Sequence, residues 1–178
     1  MPDFSETGLG EPRRIHIVGI GGSGMSAIAE ILVGTGHVVT GSDLAKSVVV
    51  DRLVDRGIVV SIGHGADNVG HVDVVAHSTA IKPDNPEIVQ AAKQGIPVLR
   101  RAEILSLITK EWRTVAVAGT HGKTTTSAML AAALRHAQFD PAFIVGGDLR
   151  DLDRGAAVGK GDLSVSYTHL TLPTTPYV

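Results

Sequence analysis

The sequence predicts an α/β fold: a parallel sheet covered by helices, followed by the start of a second α/β unit. Three observations predict it. Short β-branched runs alternate with helix-like segments along the chain, and two glycine-rich loops each join such a run to a helix. Hydrophobic residues make up 43% of the chain against 19% charged, enough for a buried core. With one Trp, two Tyr and three Phe, that core must be built from Val, Ile, Leu and Ala.

The elements follow in order. Residues 1–13, rich in Gly, Pro and acid, read as a flexible leader. "RIHIVGI" (14–20) is a buried strand bounded by glycine. "GMSAIAEILVGTG" (24–36) is a helix, because Met25, Ile28, Ala29 and Leu32 recur at helical spacing and Gly36 ends it. "HVVTGSD" (37–43) is a second strand. In "VVVDRLVDRG" (48–57), Val50, Leu53 and Val54 share one helical face and Gly57 stops the helix. "IVVSIG" (58–63) and "VDVVAHS" (72–78) are further strands. "NPEIVQAAKQG" (85–95) is a helix with Asn85 as N-cap, Pro86 at the first position and Gly95 as stop. "IPVL" (96–99) is a short strand and "RRAEILSLITK" (100–110) a helix.

"KEWR" (110–113) reads as a hinge, after which the pattern restarts. "TVAVAGT" (114–120) is a buried strand, "KTTTSAMLAAALRHA" (123–137) a long helix and "PAFIVGG" (141–147) another strand. The expected division is a first domain over 14–110, the beginning of a second over 111–165, and a tail over 166–178.

Bulk properties exclude several classes. A net charge of −2 with no basic block argues against nucleic-acid binding by bulk electrostatics. Without cysteine there is no disulfide or thiolate chemistry, which fits a reducing cytoplasm. The N-terminus lacks the basic start and apolar run of a secretory signal. No uninterrupted apolar window reaches about 18 residues, so no membrane span is expected.

In "GIGGSG", Gly19, Gly21 and Gly24 have G-x-G-x-x-G spacing between a strand and a helix. Glycines there allow the tight turn and let backbone N–H groups approach a diphosphate at a helix N-terminus. Asp43 lies 19 residues beyond Gly24, at a strand end where a carboxylate accepts from ribose hydroxyls. The alternative is a packing turn beside a solvated acid; strand, helix, second strand and acid together favour a Rossmann-like nucleotide site. The motif does not name the nucleotide, and NAD is its default ligand.

Gly119, Gly122, Lys123 and Thr124 form G-x-x-G-K-T after the later strand. Such a loop offers inward N–H groups, a lysine for the β- and γ-phosphates of ATP and a hydroxyl for magnesium. Val117 stands where the usual phosphate loop has another glycine, so the turn falls to Gly119. A capped helix start is the alternative, since Thr120 and Thr124 to Thr126 are natural caps.

"RIHIVGIGGSGMSAIAEIL", "GSDL", "IGH", "STAIKPDNPEI", "GIPVLRRAEIL" and "AVAGTHGKTTT" occur in an order and at a spacing that resemble the Mur ligases of peptidoglycan synthesis. The resemblance implies an ATP-dependent ligase that couples UDP-N-acetylmuramate to L-alanine through an acyl phosphate. A murein-tripeptide recycling member ranks second, and an NAD-dependent oxidoreductase, which leaves "GTHGKTTT" unexplained, lies outside the family. Carried over by residue, Gly21, Gly22, Ser23, Gly24, Met25 and Ser26 would face the diphosphate, with Asp43 by the ribose. His64 would lie at the nucleoside edge, and Ser78 and Thr79 along the same cleft. Gly119, Thr120, His121, Gly122, Lys123, Thr124 and Thr125 would wrap the ATP phosphates, with Lys123 neutralising charge and Thr124 on Mg2+. His64 also reads as a plain loop histidine, and Ser78 and Thr79 as partners of strand-end backbone. Arg100 and Arg101 could reach a phosphate, but a solvated helix start is the favoured reading.

After "GKGDLSV" the resemblance ends. "SYTHLTLPTTPYV" has no Asp or Glu where the family would place a magnesium-binding glutamate. An extended arm, a foreign scar and a frame-shifted end are the alternatives for this tail. The expectation is a chain that lacks the rest of the ATP-binding domain and the domain that receives the amino acid, leaving an open sheet edge, an uncovered helix face and no ligation by itself.

Overall fold

The computed structural model describes residues 9–149 and 154–167. The expected leader falls outside them up to residue 8, and so does the tail beyond residue 167. Five strands form the first sheet: β1 (Arg14–Val18), β2 (Val38–Asp43), β3 (Val59–Ile62), β4 (Val74–His77) and β5 (Val98–Arg100). They are all parallel, in the order β3-β2-β1-β4-β5. The α/β class expected from the sequence is borne out.

Side-chain alternation decides what each face carries. Ile15 and Ile17 on β1, with Val74 and Ala76 on β4, join the large core that also holds Met25, Ile28 and Leu32 of α1 (Ser23–Gly34). Leu53 of α2 (Val48–Asp55) and Ile104 and Ile108 of α4 (Arg101–Thr109) pack into the same core. Val18 and Val75, one step out of phase, face α3 (Pro86–Lys93) through Ala91. The helices thus cover both faces, as a buried parallel sheet requires. Asn85 caps α3, its side chain accepting from the Glu87 N–H at 2.9 Å. Gly36, Gly57 and Gly95 follow α1, α2 and α3 with positive φ, so the helices stop where the sequence indicates.

Two expectations need correction. Leu9, assigned to the leader, is buried in the main core, and its carbonyl accepts from the Arg13 guanidinium at 2.8 Å. One apolar side chain and one hydrogen bond are enough to dock the end of that segment. "KEWR" is no free hinge either: the Glu111 N–H bonds Ile108 O, and Trp112 packs against the main core.

The second sheet has the order β6-β9-β7-β8. β6 (Arg113–Val117), β9 (Leu163–Tyr167) and β7 (Ala142–Leu149) are mutually parallel, and β8 (Arg154–Ala157) returns antiparallel to β7. α5 (Lys123–His136) covers it through Ala131 against Phe143, Val145 and Val165. β6 is not the buried strand expected. Among the described residues it pairs only with β9, and Val115 is 42% exposed. Met129 on α5 is 68% exposed, the uncovered helix face anticipated above. The two sheets meet at α1: Ile144 of β7 and Ala156 of β8 belong to the main core. A Cβ built on Gly34 would stand 2.7 Å from Val158 Cγ2, so only glycine admits this approach without a shift.

Candidate functional site

The strand order reverses at β1, between β2 and β4, and ligands of open α/β sheets bind in the crevice outside the carboxyl ends at such a point. The β1–α1 loop lies there. Gly19 turns it with φ +77°, and Gly22, the N-cap of α1, is extended. The amides of Ser23 and Gly24 open the helix and find no backbone acceptor among the described residues, as expected of a first turn. They are the donors available to an anion.

Asp43, at the end of β2, holds the loop in place. Its Oδ2 accepts from the Gly21 N–H at 2.8 Å, and a Cβ on Gly21 would come within 2.9 Å of that oxygen. The carboxylate therefore shapes the loop directly, besides any part it takes with a ribose. Met25 and Ser26 are engaged within the loop itself. Both side chains are buried, both amides donate to Gly22 O at 2.9 Å, and Ser26 Oγ donates to Ser23 O. They support the loop from beneath. Arg101 lies against the loop instead: a Cβ on Gly24 would meet its guanidinium, so Gly24 and the start of α4 are in contact.

Ser78 follows β4. Its N–H donates to Val18 O at 3.0 Å and its Oγ accepts from the Ala80 N–H at 3.4 Å, the strand-end role weighed above. Its Cβ is also the nearest atom to one built on Gly19, at 3.1 Å, so it borders the crevice. Thr79 lines a cavity of about 700 Å³ at the ends of β4 and β5, with His77, Lys82, Arg100 and Glu103. Arg100 and Glu103 also close the start of α4, since Glu103 Oε2 accepts from the Arg100 N–H at 2.6 Å.

His64, beyond β3, belongs to a polar group that sequence reading missed. Glu87 is completely buried and accepts from Ser42 Oγ at 2.6 Å, Asn68 Nδ2 at 2.5 Å and the Gly65 N–H at 3.3 Å. His64 Nδ1 stands 3.0 Å from Ser42 Oγ and 3.3 Å from Glu87 Oε2. Burial alone would raise the Glu87 carboxyl. The neighbouring His16 ring and the donors of Ser42, Asn68 and Gly65 outweigh it and bring the group from an ordinary 4.5 to about 2. His16 Nε2, at 3.8 Å, is beyond hydrogen-bond reach and acts through its proximity; the other three bond directly.

A group depressed in the folded state stabilises above its unfolded value and loses that contribution as pH falls through the folded one. The window here runs from about 4.5 down to about 2. In urea melts, the wild type is expected to lose on the order of 2–3 kcal/mol more than Glu87→Gln between pH 6 and pH 2. Equal losses would show that Glu87 is not held ionised.

The second glycine loop lies between β6 and α5. Gly119 (φ +148°) and Gly122 (φ +76°) take conformations that L side chains rarely adopt, and Gly122 caps α5 without a side chain. Lys123 folds back, its Nζ donating to Gly119 O at 2.6 Å and Thr120 O at 3.3 Å. Thr120, His121, Thr124 and Thr125 are exposed. Among the described residues no group of three or more His, Asp or Glu could hold a metal ion. No described helix is long and apolar enough to cross a membrane.

Comparison with known proteins places this geometry. A family model described as "Mur ligase family, catalytic domain" matches residues 14–113. The UDP-N-acetylmuramate--L-alanine ligase of Solidesulfovibrio magneticus is 49% identical over 154 residues, covering 86% of this chain and 34% of that protein. The enzyme of the same name from Rhodopseudomonas palustris is 52% identical over 151 residues, covering 85% and 32%. The chain therefore spans about a third of the length of the curated relatives it matches. Among solved structures, the UDP-N-acetylmuramate-alanine ligase of Thermotoga maritima superposes with a TM-score of 0.80 at 36% identity, over 86% of this chain and 36% of that one. The UDP-N-acetylmuramate:L-alanyl-gamma-D-glutamyl-meso-diaminopimelate ligase of Neisseria meningitides gives 0.81 at 28%, over 88% and 52%.

Proposed function

The chain belongs to the Mur ligase family, and from that premise we propose that it is the N-terminal portion of an ATP-dependent ligase joining L-alanine to UDP-N-acetylmuramate. In the reaction, the muramoyl carboxylate attacks the γ-phosphorus of ATP, ADP leaves, and an acyl phosphate forms. The amine of L-alanine then attacks the acyl carbon, phosphate departs, and the amine gives up a proton as the amide forms. Positioning and charge neutralisation supply most of such catalysis.

The observation that carries the reading is the loop at the sheet's reversal point, held open by the Gly21–Asp43 bond with the Ser23 and Gly24 amides free. In this reading those amides take the diphosphate, Asp43 and His64 flank the nucleoside on the β2–β3 side, and Ser78 and Thr79 line the way to the sugar. The cavity at the ends of β4 and β5 lies on the opposite side of β1 from Asp43, a suitable place for that sugar. Gly119, Thr120, His121, Gly122 and Thr125 surround the ATP phosphates, Lys123 neutralises them, and Thr124 offers its hydroxyl to Mg2+. The ion, when bound, would offset charge on the β- and γ-phosphoryl oxygens. The cytoplasm, where both nucleotides are made, is the compartment that fits. Since the chain spans a third of its relatives, ligation is assigned to the whole enzyme and binding to this portion.

Competition between ligands tests the assignment. UDP-N-acetylmuramate is expected to bind at least about tenfold more tightly than NAD, because the default dinucleotide offers no sugar acid to the β4–β5 side. Tighter binding of NAD would favour an oxidoreductase instead.

A further inference from the structure

The group around Glu87 decides which hydrogen-bonding face His64 turns outward. The 2.6 Å contact between Ser42 Oγ and the Glu87 carboxylate has one possible donor, the serine hydroxyl. With its single proton committed there, Ser42 Oγ meets His64 Nδ1 as an acceptor. Glu87 Oε2, 3.3 Å from the same nitrogen, is an acceptor too. Nδ1 therefore carries the proton, and in the neutral ring Nε2 is bare. The His64 side chain keeps 10% of its surface exposed beside the end of β3, and among the described residues both its partners meet Nδ1, which leaves Nε2 for a ligand. Gly63, one residue before His64, donates its N–H to Asp43 O at 2.8 Å, which ties His64 to the Asp43 side of the crevice.

We propose that Glu87 is a positioning residue for nucleoside recognition: with Ser42 it fixes His64 in the Nδ1-protonated form, so that Nε2 presents an acceptor to an N–H or O–H donor of the nucleoside. The proposal rests on the reading that this crevice takes a UDP-linked substrate. A base or sugar edge that offers an acceptor at this point is met by another acceptor and is refused, which makes the buried carboxylate a source of ligand choice although it touches no ligand. Glutamine in its place brings an amide donor toward Nδ1, and the ring is then free to carry its proton on Nε2.

The test combines ring 15N spectroscopy with UDP titration at about pH 8.5, where an ordinary imidazole is neutral. His64 of the wild-type chain is expected to show a protonated Nδ1 and a bare Nε2. Glu87→Gln should shift the ring toward the other tautomer and weaken UDP binding about tenfold. In a His64→Ala background the same change should add no further loss. Ser42→Ala removes the hydroxyl but leaves the Glu87 carboxylate 3.3 Å from Nδ1, so the ring should stay protonated there, and the wild-type ring spectrum carries the test if Glu87→Gln does not fold. UDP analogues separate the donors: 3-methyluridine diphosphate lacks the base N–H, and 2′-deoxyuridine and 3′-deoxyuridine diphosphate each lack one ribose hydroxyl. One of them should bind weakly and be insensitive to Glu87→Gln. A wild-type ring protonated on Nε2, or equal losses with and without His64, would overturn the proposal. So would three analogues that all keep the full Glu87 effect. A wild type that binds no UDP overturns the nucleotide reading and this proposal together, whereas UDP binding that Glu87→Gln leaves unchanged overturns the proposal alone.

Discussion

Gly22→Leu is expected to weaken UDP-N-acetylmuramate binding at least about a hundredfold, equivalent to about 2.7 kcal/mol, while the chain stays folded. Gly22 is exposed and extended, at φ −65° and ψ 139°, a conformation open to any residue. The nearest atom to a Cβ built on it is Gly19 O at 3.6 Å, ordinary contact. Its neighbours are poorer probes. A Cβ on Gly21 presses on Asp43 and one on Gly24 on Arg101, so substitution there would disturb the loop itself. At Gly22 a branched side chain is added beside the free amides of Ser23 and Gly24 with little change beneath them. The cost to stability should stay within about 1 kcal/mol, as for an N-cap without a side-chain bond. Urea melts and calorimetric titration on the same sample separate the two effects. Unchanged affinity in a folded Gly22→Leu chain would remove the first loop from the binding site.

Lys123→Ala should have the second largest effect, on the other nucleotide. Its Nζ bonds only the carbonyls of Gly119 and Thr120 among the described residues, in an exposed loop. Losing those contacts costs the fold little, and alanine is a good first residue for α5. For ATP the same ammonium must leave the carbonyls and meet the phosphates, a charge-assisted contact. Affinity for ATP with magnesium is expected to fall about a hundredfold, and to depend more weakly on salt than in the wild type. Binding of UDP-N-acetylmuramate should not change, because Lys123 lies on α5 and the first loop on α1. Retained ATP affinity would show that the capped-helix alternative describes this segment.

Much of the fold was legible because local signals agree with tertiary packing. The two-residue alternation of β1 and the glycines after α1, α2 and α3 act within a few residues, and the structure keeps them. β8 was not legible: "RGAA" has no β-branched residue, and its pairing comes from β7 and from Ala156 meeting α1. The exposure of β6 depends on what pairs beside it, which no local pattern encodes. The family resemblance holds, being carried by motifs spread over most of the chain.

At the site, glycine spacing and Asp43 were readable, but not the Gly21–Asp43 bond that joins them. The burial of Met25 and Ser26 was not readable, because a motif does not tell which side of a helix start faces the core. Glu87 was hidden for a similar reason. An acid in the first turn of a helix looks solvated and dipole-favoured, and its partners Ser42, Asn68 and His64 lie far away in sequence. One signal was present: Glu87 stands four residues before Ala91, on the stripe that α3 buries.

Calorimetric titration of the wild-type chain with UDP-N-acetylmuramate bears most directly on the central claim. One saturable site is predicted, kept by Lys123→Ala and lost by Gly22→Leu. A folded chain that takes up no UDP-N-acetylmuramate would contradict it.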